Sequence, residues 1–153
     1  MTQRDPIPLV ALLGRAEADF AAEFDRRVAL SDMDHLSLAH SRNVLRHLTS
    51  GPMRASQVTA VADVTKQAIS QQIAHLERHG YLTARPDPTD QRARLLELTE
   101  KGQRAQRTVK RLFAEIEDDW AAALGAERAA ALRDALTALH DRRRGTPGGD
   151  GGG

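Results

Sequence analysis

The amino-acid sequence predicts a mainly α fold of the α+β kind, in which helices surround one two-stranded hairpin. Three observations carry this. Apolar side chains recur at the 3.6-residue period of a helix through most of the chain. Between residues 81 and 98 that period is lost, and two extended stretches flank a segment rich in turn residues. Aromatic residues make up only 3%, too few for a large β-sandwich or a carbohydrate-stacking site. With 153 residues, 28% charged and 41% hydrophobic, the chain fits one soluble domain with helical extensions.

The elements follow in order. Residues 9–30 carry Leu9, Leu13, Ala16, Phe20, Phe24 and Val28 close to one helical face. A second helix is expected over 37–49, capped by Ser37, with Val44, Leu45 and Leu48 inward; Gly51-Pro52 stops it. A short helix follows at 55–62, with Val58, Val61 and Ala62 as its apolar side. Asp63-Val64 forms a tight turn, and Thr65 caps a helix over 66–79 that buries Ile69, Ile73 and Leu76 and ends at Gly80. Residues 81–85 read as a strand, 86–91 as a loop and 94–98 as a returning strand. Thr99 caps a helix to residue 123, about 37 Å long and more than a small domain needs. Its stripe is Ala105, Val109, Leu112, Phe113, Ile116 and Trp120. Gly125 breaks it, and residues 126–142 form a last helix with Leu132, Ala135, Leu136 and Leu139. The tail GTPGGDGGG is too rich in glycine to pack and is expected to be disordered.

Three helices and a hairpin in the middle of the chain make the winged helix-turn-helix plan, whose second helix reads DNA. The flanking helices carry more apolar surface than so small a core covers, and a second copy of the chain is the simplest partner.

Charge is distributed to match. The formal net charge is only +1, which taken alone speaks against nucleic acid. Residues 1–41, however, hold four basic and seven acidic side chains, net −3. Residues 42–111 hold 13 basic and six acidic, net +7; residues 112–153 hold five and eight, net −3. The basic centre coincides with the helix-turn-helix and the hairpin, where cations would displace counterions from phosphates. A merely solvated basic face is the plainer alternative on charge alone.

Composition also excludes. The chain has no cysteine, so disulfides, thiolate metal sites and cysteine nucleophiles are ruled out. No apolar run approaches the roughly 20 residues that span a bilayer, and no signal peptide is evident; a cytoplasmic location is expected. No nucleophile elbow, phosphate loop, paired metal motif or dinucleotide fingerprint appears, so neither an enzyme nor a bound cofactor is expected.

On a helical wheel Ile69, Ile73 and Leu76 fall within about 60°. Opposite them stand Gln67, Ser70, Gln71, Ala74 and Arg78, with Lys66 at one edge and His75 at the other. Gln and Ser can hydrogen-bond base edges, Lys can meet phosphate or guanine, and a small Ala allows close approach. The capped N-terminus, with Thr65, favours a phosphate. At the hairpin tip, Asp90 precedes Arg92 by two residues and Arg94 follows; an arginine there suits the narrow minor groove, and Asp90 can orient it. The expected DNA-binding set is therefore Thr65, Lys66, Gln67, Ser70, Gln71, Arg78, Asp90, Arg92 and Arg94. A Gln/Ser-rich surface helix and an incidental Asp–Arg turn are the plainer alternatives.

The stretches VTKQAISQQIAHLERHGYL (64–82), DPTDQR (87–92) and LTEKG (98–102), with their spacing, resemble the MarR family of bacterial transcription regulators over Leu36 to Gly102. The flanking helices match in position and character only. The resemblance implies a homodimer on a pseudo-palindromic DNA operator, with helix 66–79 in the major groove and the wing in the minor groove. It places Asp90 and Arg92 at the family's D-x-R wing positions. It implies a repressor released by a small anionic or phenolic ligand bound between the dimer helices and the DNA-binding lobe. The organisation expected is a dimerisation helix at 1–35, the winged lobe at 36–102, dimerisation helices at 103–142 with Phe113 and Trp120 in the dimer core, and the tail at 143–153. The turn before the reading helix has Asp63 where the family usually has Gly; Asp tolerates left-handed backbone, which would preserve it. Thr59 and Ala62 replace the family's Ala and Leu, which loosens the packing expected of the short helix.

Six histidines remain. His75 and His79 have the i, i+4 spacing of a zinc clamp, and His35, His40 and His47 could form a metal-sensing cluster. Surface histidines without a ligand are the plainer reading of both sets, so no metal is expected. A metal-responsive, ligand-independent or activating regulator stays open as an alternative.

Overall fold

The computed structural model describes residues 6–145 and divides the chain into two compact units, Met1–Phe113 and Ala114–Gly153. The first unit begins with α1 (Leu9–Ala29), α2 (Leu38–Asn43), a 3₁₀ turn (Leu45–Leu48) and β1 (Met53–Arg54). It continues through α3 (Ala55–Val61), α4 (Lys66–Arg78), β2 (Leu82–Asp87) and β3 (Asp90–Leu98). Helix α5 (Glu100–Leu124) starts in the first unit, and α6 (Ala126–Arg144) belongs to the second. The Gly-rich tail after Gly145 lies outside the described residues.

Helix α4 forms as its pattern demands. Ile69, Ile73 and Leu76 are buried, and each contributes about 1.5–3 kcal/mol on leaving water. The Thr65 hydroxyl accepts from the Ala68 amide at 3.2 Å, a cap that adds about 1 kcal/mol. Burial therefore dominates, and the cap sets the start. Gly80, at φ +80°, turns the chain out of the helix into Tyr81, a conformation that a side chain would disfavour. Phe24, Leu45, Val58 and Leu96 are fully buried and close the core with Ile69 and Leu76.

Several expectations need correction. The single helix expected over 37–49 is two pieces. Ser37 caps α2 as expected, accepting from the His40 amide at 3.4 Å, but the helix breaks at Val44 (φ −127°, ψ −65°). Val44 and Leu45, on either side of the break, are both buried. The expected loop at 86–91 shrinks to Pro88-Thr89, since β2 runs through Pro86 to Asp87 and β3 begins at Asp90. The sheet order is β1-β3-β2, so β2 is an edge, where a proline costs no ladder bond. A bulge marks the shift between Pro86 and Asp87. Strand β1, unforeseen, pairs Met53 and Arg54 with Leu96 and Leu95.

In α3 only Val58 is buried; Val61 is half exposed, and the Thr59 hydroxyl donates back to the Ala55 carbonyl. Asp63 does not take a left-handed backbone: among the described non-glycine residues only His35 has positive φ. The first turn of α1 is also more open than its stripe suggested, with Leu9 68% and Leu13 41% exposed. Phe113 packs within its own chain, its ring 5.6 Å from Phe20 and 5.4 Å from Phe24. In the second unit α6 reaches Arg144, two residues further than expected. Arg133 pairs with Glu117, while Leu132, Leu136 and Leu139 stay exposed.

Candidate nucleic-acid interface

One face of α4 is buried and the other is open. Lys66, Gln67, Ser70, Gln71, Ala74 and Arg78 are all exposed, the set read from the helical wheel. Lys66 and Arg78 make no ion pair among the described residues, so their charges face solvent uncompensated. Thr65 is exposed at the N-terminal end, but its hydroxyl oxygen is already used as the cap. The Asn43 amide donates to Gln72 at 3.3 Å and braces α4 against α2 from behind.

The wing is built more firmly than its sequence showed. Asp87 is buried, and its Oδ1 accepts from both the Thr89 amide (2.9 Å) and hydroxyl (2.8 Å). Arg54, from β1, donates through Nε to Asp87 Oδ2 at 2.7 Å and through Nη2 to the Thr89 hydroxyl at 3.2 Å. The Thr89 amide and hydroxyl, then the Arg54 guanidinium, bring the Asp87 carboxyl down to about 2. A lowered carboxyl favours the folded state above the ordinary carboxylate range and loses that effect only as pH falls toward 2. Asp-x-Thr is an Asx-turn signature, so half of this bracket was readable from sequence; Arg54, 33 residues away, was not.

Asp90 holds the backbone of Arg92 and not its side chain. Its Oδ1 accepts from the Arg92 amide at 3.1 Å, and the exposed guanidinium makes no ion pair among the described residues. Arg94 is different: it donates to Glu77 of α4 at 3.0 Å. Both side chains are exposed, so the pair contributes at most about 1 kcal/mol, but it neutralises a cation expected to face phosphate. Arg94 therefore joins the wing to α4.

At the far end of α4 the two histidine sets merge. His35, His40, His75 and His79 stack together, while His47 meets Arg46 instead. Burial, then the nearby His75, pushes His40 down to about 4; burial, then His35 and His75, lowers His79.

Residues 39–102 match the family described as winged helix DNA-binding domain. No protein of curated function matches the sequence. Solved structures do. A structure described as MarR superposes with a TM-score of 0.80 at 19% identity, covering 92% of this chain and all of that one. The transcriptional repressor CouR, bound to a 23-mer DNA duplex, gives 0.74 at 25% identity over 87% and 92%. FabT of Streptococcus pneumoniae, in complex with DNA, gives 0.73 at 20% identity over 89% and 95%. Residues 39–102 are thus similar to a winged helix DNA-binding domain. The chain's fold is that of the MarR-type transcription regulators, as the sequence resemblance implied. No helix among the described residues is long and apolar enough to cross a membrane.

Proposed function

We propose that the chain is a homodimeric transcription regulator that represses by occupying a pseudo-palindromic operator in cytoplasmic DNA. The carrying observation is the exposed polar and cationic face of α4 beside an unpaired Arg92. In this reading Lys66, Gln67, Ser70 and Gln71 meet base edges and phosphates in the major groove, with Thr65 at the helix start and Arg78 further along. Arg92, held by Asp90, enters the minor groove, and Arg94 steadies the wing. CouR and FabT, both seen with DNA, support this assignment by fold.

Dimerisation is supported by apolar side chains without cover in each unit: Leu9, Val10 and Leu13 on α1, and Leu132, Leu136 and Leu139 on α6. Release by a small anionic or phenolic ligand is supported by a cavity of about 340 Å³ in the first unit. It is lined by Tyr81, Lys101, Arg104 and Arg107 among others. Lys101 already serves Asp34 and Arg104 already serves Glu100, whereas Arg107 makes no ion pair among the described residues; in this reading its charge, with Asp32 also in the lining, meets the anion.

The experiment is sequencing of the genomic fragments that the protein retains, with its mass in solution measured beside it. A single palindromic motif and a mass twice 16.7 kDa are expected. Retention without sequence preference, or a monomer, overturns the proposal. On the recovered operator, Gln67→Ala should change base preference at one position per half-site, by about 1–3 kcal/mol of discrimination. An equal loss on all sequences removes Gln67 from base reading.

A further inference from the structure

Four of the six histidines meet in one place. His35 stacks on His79 with ring centroids 4.0 Å apart, and His40 stacks on His75 at 4.4 Å. His75 and His79 lie 4.5 Å apart and join the two pairs. Asp34 stands beside them, with Oδ2 3.9 Å from His35 Nε2. One ligand atom from each of Asp34, His35 and His79 lies within 4.8 Å of the others. We propose that Asp34, His35 and His79 bind a divalent late first-row transition ion, of which Zn²⁺ is the probe.

Three structural features support the site. His35 has φ +56°, a left-handed backbone that is uncommon for a residue with a side chain and that recurs at binding sites. It brings His35 beside His79 at the end of α4. Next, His75 Nε2 donates to the His35 carbonyl oxygen at 2.6 Å, so one imidazole fixes the loop that carries another. Bonds of this outer kind orient metal ligands. Last, Lys101 donates to Asp34 Oδ1 at 2.8 Å, which anchors the carboxylate and leaves Oδ2 toward His35.

The donor chemistry selects the ion. Two imidazoles and one carboxylate suit zinc, nickel or cobalt, whereas calcium and magnesium favour all-oxygen shells. Three protein ligands leave one position for water. Donors on a tetrahedral zinc stand about 3.3 Å apart, so the site closes by a small movement. The stacked rings must turn, because a bound metal lies in the plane of each imidazole. Asp34 and His35 are exposed, so these rotations do not disturb the core.

The test reads the metal directly and does not depend on the DNA-binding reading. Untagged full-length protein is titrated with Zn²⁺ against a fluorescent chelator. One ion per chain is expected, at micromolar or tighter affinity. His35→Gly keeps the positive φ while removing the imidazole, and His79→Gln keeps the helix; circular dichroism checks both folds. Each should weaken binding by at least about tenfold, the scale on which even outer-shell partners act. His47→Gln should change nothing. Cobalt should give the visible band of a four-coordinate ion in the parent and not in the two variants. Affinity unchanged in His35→Gly and His79→Gln, or lost equally in His47→Gln, overturns the site.

Discussion

Arg92→Ala is expected to weaken operator binding by about 10- to 100-fold, or about 1–3 kcal/mol, with fold and oligomeric state unchanged. The separation of effects follows from what Arg92 touches. Its guanidinium is exposed and makes no ion pair among the described residues, so its loss leaves no acid unpaired. Its backbone stays where Asp90 Oδ1 holds the amide, and the Arg54–Asp87–Thr89 bracket keeps the tip in shape. Any loss of affinity then reports the DNA contact itself. Arg94→Ala should have the smaller effect on DNA, since its charge is already answered by Glu77. Fluorescence anisotropy on the recovered operator, at matched salt, measures both. Equal affinities for the parent and Arg92→Ala would remove the wing from the interface.

Helix α4 and its open face were legible and the wing only partly so, for physical reasons. Helix α4 is specified locally: three apolar residues on one face, a Thr before it and a Gly after it. Its buried face fixes its open face, so Lys66, Gln67, Ser70, Gln71 and Arg78 could be read from a wheel. The wing is specified by tertiary position. Pro86 looks like a loop residue until β2 is known to be a sheet edge. The pairing of Arg94 with Glu77 at 3.0 Å could not be read locally, because the hairpin brings together residues 17 apart in sequence. The break at Val44 is not announced by the apolar pattern, since a wide apolar face on a continuous helix would also bury Val44 and Leu45, both 0% exposed. The histidine cluster was invisible for want of the fold: the sequence offered His75 with His79 and, separately, His35, His40 and His47, but the structure joins members of both sets and leaves His47 out.

Gly102→Ala is expected to destabilise the protein by about 3 kcal/mol, at the upper end of the usual cost of overpacking. Local reasoning gives the opposite sign. Gly102 lies inside α5, and alanine in a helix interior is ordinarily better than glycine by about 0.5–1 kcal/mol. Here a Cβ would fall on the Tyr81 carbonyl oxygen, 3.1 Å from its carbon and 3.2 Å from Leu98 Cδ2. The carbonyl cannot retreat cheaply. It accepts from the Thr99 amide at 3.1 Å, and the Tyr81 amide donates to the Leu76 carbonyl at 2.9 Å. The Thr99 hydroxyl donates to the Gly80 carbonyl at 2.5 Å and accepts from the Gly102 amide at 3.0 Å. Tyr81 itself is fully buried, its hydroxyl donating to the Asp34 carbonyl at 2.5 Å. Relief therefore requires the start of α5 to lift from the junction of α4 and β2. Gly14→Ala in α1 supplies the contrast, because nothing lies within 4 Å of a Cβ built there. That variant should stabilise by about 0.5–1 kcal/mol. Urea unfolding of both at one protein concentration decides the matter, since the apparent stability of any chain that self-associates varies with concentration. If Gly102→Ala rises with Gly14→Ala, the close approach of α5 to Tyr81 is wrong; opposite signs show that backbone contact, not helix propensity, keeps glycine at that position.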